Sequence, residues 1–70
     1  VKRPSKKKIA EFVKTKFPDI EFDGIKIVES KKDRCHFQII SYGRMIGQAE
    51  FLLNEHFWIE VEKHLNWVFQ

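Results

Sequence analysis

What the chain lacks narrows it first. A single cysteine, Cys35, excludes an internal disulfide framework, and with three scattered histidines it offers no paired-cysteine spacing for zinc. His56 and His64 lie eight residues apart, about 80° from each other around a helix. Neither has a histidine or cysteine four residues on to complete a metal site. No metal and no cofactor is therefore expected. No apolar run approaches the roughly 18 residues of a membrane span, and no charged-then-apolar signal opens the chain. Internal repeats and low-complexity stretches are absent as well. These absences point to a reduced intracellular module, cytoplasmic or nuclear, with no membrane partner. The chain opens on Val1 instead of methionine, which fits a segment of something longer.

What is present suits one small domain over residues 1–70, with a basic tail at about 1–4. A chain of this length buries only roughly 60% of the surface it exposes when unfolded, so its core is small. The 43% hydrophobic and 33% charged fractions are those of a globular protein and argue against disorder. Seven Phe, two Trp and one Tyr let that core be built from few, large residues. The net charge of +3 hides an asymmetry. Residues 1–35 carry 11 Lys/Arg against 6 Asp/Glu, whereas residues 36–70 carry 2 against 4. Basic charge concentrates in Lys2, Arg3, Lys6, Lys7, Lys8, Lys14 and Lys16, a face suited to phosphates or to an acidic protein surface.

The periodicity predicts an α+β fold of order α-β-β-β-α. After Pro4-Ser5, residues Ile9, Phe12, Val13 and Phe17 recur at helical spacing. Ser5 is a suitable N-cap, and Phe17-Pro18 ends the helix because the residue before proline avoids the α region. The period then changes to two. A first strand is expected at about 25–30 and a polar turn at Ser30-Lys31-Lys32-Asp33. A second strand puts Cys35, Phe37 and Ile39 on one face and His36, Gln38 and Ile40 on the other. Tyr42-Gly43-Arg44 turns into a third strand, with Ala49, Phe51 and Leu53 on one side and Gln48, Glu50 and Leu52 on the other. Consecutive strands with short turns form an antiparallel meander. Asn54 is the expected N-cap of a last helix running from Glu55 to about Phe69. Its apolar arc is Phe57, Trp58, Val61, Leu65, Val68 and Phe69. Ile59 and Trp67 fall toward the polar side, near Glu60 and Lys63. Either the helix end frays and Trp67 folds back, the preferred reading, or these residues meet another chain.

This order, together with several local patterns, resembles the double-stranded RNA-binding domain. Pro4, Ile9, Glu11 and Phe12 stand where that family's first helix has its proline, aliphatic, glutamate and aromatic residues. Phe37, Ile39, Gly43 and Gly47 match its second strand and glycine turn, and Gly43-Arg44-Met45-Ile46-Gly47-Gln48-Ala49 is the most specific stretch. The resemblance covers about residues 4–69. It implies two helices on one sheet face and recognition of duplex RNA by shape, over about 16 base pairs with little base reading. Carried over by position, Lys7 and Glu11 face 2′-hydroxyls and phosphates, and Lys6, Lys8 and Lys14 extend that contact. Lys31, Lys32 and Arg34 supply a second contact, with His36 near it. Two departures stand out. Ser30-Lys31-Lys32-Asp33 replaces the family's Gly-Pro and His turn, and Asn54-Glu55-His56-Phe57 replaces its lysine cluster at the second helix. The central phosphate anchor is thereby missing, which predicts weaker, shape-directed affinity.

RNA, double-stranded or structured, is accordingly the expected partner. The alternative is a protein partner or homodimer held through Ile59, Lys63 and Trp67 on the last helix, or through the third strand. Lowest ranks a toxin-type endoribonuclease acting through His36, since small toxins of this element order use a strand histidine. Arg34-Cys35 stands where those toxins carry Gly-Ser, and no second titrating partner is identifiable. Cys35 reads as a small core residue. No enzymatic activity is expected.

Overall fold

Ser5 begins the first regular element in the computed structural model, which describes residues 2–70. Its side chain accepts a hydrogen bond from the Lys8 backbone N–H at 3.1 Å, and helix α1 runs over Lys6–Lys16. Ile9 and Val13 bury its inner stripe completely, while the lysines stay exposed. Phe17 closes the helix with its N–H on the Val13 carbonyl. The segment after Pro18 is irregular, although Ile20 and Phe22 alternate with polar residues, and strand β1 covers Gly24–Val28. That strand stops two residues before the expected end. Arg34 N–H bonds the Lys31 carbonyl and the Ser30 hydroxyl donates to the Arg34 carbonyl, so the chain is already turning at Ser30.

Strands β2 (Arg34–Ser41) and β3 (Arg44–Leu52) complete one antiparallel sheet of order β1-β2-β3. Tyr42 and Gly43 make the two-residue turn between β2 and β3, both with positive φ, at 51° and 77°. This left-handed pair matches strand twist in tight hairpins. Asp23 supports it by accepting the Tyr42 N–H at 3.0 Å. The β2–β3 register then slips. Ile40 faces Met45 while Ile39 faces Gly47, leaving Ile46 as an extra residue that packs on the core. This bulge resets the alternation, so Gly47, Ala49 and Phe51 face inward while Met45, Gln48, Glu50 and Leu52 face out. Gly47 lets Phe69 approach closely: a Cβ there would stand 3.2 Å from the Phe69 ring, which would have to give way by a few tenths of an ångström.

Helix α2 spans Phe57–Val68, which corrects the expected cap. Asn54 sits two residues too early. Its side-chain oxygen accepts the His56 N–H at 2.8 Å and its carbonyl accepts the Phe57 N–H at 3.0 Å, an Asx turn instead of an N-cap. His56 occupies the cap position without a side-chain capping bond. The helix end does not fray around Trp67 either. It continues to Val68, and Trp67 remains 72% exposed, its ring 6.3 Å from that of His64. Val61, Leu65 and Phe57 join Ile9, Val13, Ile25, Cys35, Phe37, Ile39 and Ala49 in one core between the two helices and a single sheet face. The architecture is thus α-β-β-β-α, the order the periodicity predicted, with both helices on one side of the sheet, as the resemblance implied.

The helices run parallel. Phe12 meets Trp58 at 4.5 Å between centroids, Lys16 pairs with Glu62 at 3.6 Å, and Phe17 meets Phe69 at 5.5 Å. Both begin at the end of the sheet that carries the β1–β2 turn, where Leu53 N–H bonds the Asp33 carbonyl. Both finish at the end that carries the β2–β3 hairpin. No described helix is long and apolar enough to cross a membrane.

Candidate nucleic-acid interface

Arg3 organises the basic end. Its guanidinium donates to the backbone carbonyls of Lys31, at 3.3 Å, and Lys32, at 3.2 Å. Only Pro4 and Ser5 separate Arg3 from Lys6, so these bonds hold the start of α1 beside the β1–β2 turn. Lys6, Lys7, Lys8, Lys31 and Lys32 are all exposed, and none of them forms an ion pair among the described residues. Both helices also direct the positive ends of their dipoles to this end of the molecule. Asp33, Glu55 and Glu11 are exposed acidic residues in the same region or next to it, and they reduce its potential.

The remaining expected contacts separate into different surfaces. Lys7, Glu11 and Lys14 share one exposed helical stripe, at spacings of four and three residues. Lys14, however, lies about 10 Å further along the axis than Lys7. Its ammonium stands 5.7 Å from the Phe22 ring centroid, in a cleft shared with Asp23 and Tyr42 near the opposite hairpin. Arg34 and His36 also part from the lysines. Strand alternation puts both out of phase with the buried Cys35 and Phe37. Arg34 is half-buried and lines a cleft with Phe51, Leu52, Asn54, His56 and Glu60, at the junction of β3 and α2. His36 lies on the open sheet face, between Val28 and Glu50 in register, with Nε2 2.9 Å from the Gln48 side-chain oxygen. The expected second contact therefore reduces to Lys31 and Lys32.

Two chemical questions are answered by the surroundings. Burial pushes the Cys35 thiol up, against the opposing pull of the Arg3 guanidinium, so it is a poor nucleophile. Among the described residues no three His, Cys, Asp or Glu side chains converge as metal ligands would.

Ile59, Lys63 and Trp67 lie on one ridge of α2, four residues apart, and all three are exposed. Trp67 overhangs the edge of β3, where it lines a groove with Met45, Ile46, Gln48, His64 and Val68. Arg3 as a clamp was not legible in sequence, where it is one more charge in a basic tail. The Pro4 that follows it, which keeps the chain extended, was the available signal. No protein-family model matches the chain, and neither curated proteins nor solved structures are significantly similar to it.

Proposed function

We propose that this chain is an RNA-binding module, a divergent relative of the double-stranded RNA-binding domain that docks on duplex or structured RNA through its basic end. The observation that carries this reading is the Arg3 bridge to the Lys31 and Lys32 carbonyls, which joins two groups of unpaired lysines into one patch. Phosphate tracking needs cations in a continuous run and little specific geometry. Lys6, Lys7 and Lys8 make one part of the contact and Lys31 and Lys32 the other. Glu55 and His56 stand where a third, central contact would need lysines, so affinity is modest and strongly salt-dependent. Titration with an RNA duplex of about 20 base pairs at two salt concentrations tests the reading. Binding that weakens as salt rises, and weakens again in the Lys7→Ala, Lys32→Ala double variant, is expected. No binding at low salt overturns it.

A second reading draws on the exposed Trp67. With Met45 at 48% and Ile59 at 55% exposure, it gives the β3–α2 flank more apolar surface than folding requires. A protein partner or a second copy of the chain would cover it. A homodimer that appears in sedimentation and dissolves on Trp67→Ala would favour this reading over the first.

A further inference from the structure

Between α1 and the start of α2 lies a cleft that neither reading uses, apart from Lys8 on its rim. Its floor is the Phe12–Trp58 pair, whose rings tilt by 36° and remain partly exposed. Lys8, Glu11 and Thr15 form the rim, around a volume of about 370 Å³. Lys8 belongs at the same time to the basic patch, so the cleft opens directly beside the proposed phosphate contacts. Cation, aromatic face, carboxylate and hydroxyl therefore line one cleft along two turns of α1.

We infer that this cleft holds one unpaired nucleobase at the end of, or in a bulge within, the bound RNA. The inference rests on the RNA reading above and names a subsite within it. A base stacks on an aromatic ring irrespective of its identity, and each such stack is worth about 1–3 kcal/mol. Lys8 is placed to meet the phosphate of the same nucleotide. Glu11 can only accept hydrogen bonds when ionised, so at the rim it favours a base with an exocyclic amino group. Cytosine, adenine and guanine offer it an amino group; uracil offers only its N3–H, flanked by two carbonyl acceptors that a carboxylate repels. The same carboxylate argues against an acidic peptide as the occupant. A purely apolar peptide would leave Lys8 and Glu11 without partners.

The test uses the Trp67→Phe chain, in which Trp58 is the sole tryptophan, and three duplexes of about 20 base pairs. One is blunt, one carries a three-cytidine overhang and one a three-uridine overhang. The cytidine overhang is expected to bind about tenfold more tightly than the blunt duplex and to quench Trp58 fluorescence. The uridine overhang should give a smaller gain, and Glu11→Gln should narrow the difference between the two. Trp58→Leu should remove the overhang advantage while retaining the blunt affinity. Because Trp58 also packs on Phe57, the fluorescence and Glu11→Gln readouts stand independently of that variant. Equal affinity for blunt and overhang duplexes, with no quenching, overturns the subsite and leaves the RNA reading intact. Failure of all three duplexes to bind overturns both.

Discussion

At the end where both helices begin, exposed lysines are gathered by Arg3 and form no ion pair among the described residues, although Asp33 and Glu55 stand nearby. Along β3 and the outer ridge of α2 they are Met45, Leu52, Ile59 and Trp67, among glutamates. One core supports both regions: Phe37 and Ile39 share it with Ile9 and Val13 of α1 and with Val61 and Leu65 of α2. The contrast lies in what covers that core, long-range charge at one place and apolar surface at the other. The two call for different partners, because a cationic patch is satisfied by a polyanion in water whereas an apolar ridge gains only by losing water.

The comparison breaks most severely if the shared floor is removed. Phe37→Ala empties a fully buried site and costs about 3–5 kcal/mol, most of the stability of a domain this small. Circular dichroism on heating should show little native signal at 37 °C; an ordinary cooperative melt would mean that the core is placed wrongly. Charge reversal separates the regions next. Lys31→Glu with Lys32→Glu should weaken duplex binding at least about tenfold at low salt and lower the salt slope by about one per residue. Lys26→Glu, on the open sheet face, serves as the control and should change affinity less than twofold. Comparable losses from both would mean that the basic end is not special.

Two smaller effects sharpen the contrast. Arg3→Ala removes the clamp between tail and turn, with an expected loss of about 1 kcal/mol in urea denaturation. Duplex affinity should fall severalfold alongside it, and an unchanged affinity would show that the two lysine groups act separately. Tyr42→Asn should do the opposite at the far hairpin. Tyr42 holds φ 51°, a conformation Asn tolerates better, so stability should rise by about 0.5–1 kcal/mol. RNA affinity should not move, since this hairpin lies at the other end of the sheet from the Arg3 bridge.

Much of the architecture was legible because local patterns agreed with one another. The stripe Ile9, Phe12, Val13, the alternation Cys35, Phe37, Ile39 and the arc Phe57, Val61, Leu65 each named their buried face correctly. The start of α2 was misread because Asn54 can satisfy backbone groups in a turn as readily as at a helix cap, and residue type does not distinguish them. The bulge at Ile46 left no pattern of its own, since it is a register shift between paired strands and not a feature of one stretch. The candidate site was legible only in composition. Eleven basic residues in the first half named the charge, but not that Lys31 and Lys32 would stay with the helix lysines while Arg34 and His36 turned to other surfaces.

By itself the sequence determined the order of elements, the faces they bury and the sign of charge in each half. Those follow from periodicity and capping, which act within a few residues of the chain. Tertiary structure alone decided which lysines are neighbours, that Arg3 closes on a turn 28 residues away, and that Phe12 and Trp58 floor a shared cleft. Such contacts depend on how helices seat on the sheet, a packing outcome distributed over the whole core and written in no single stretch of residues.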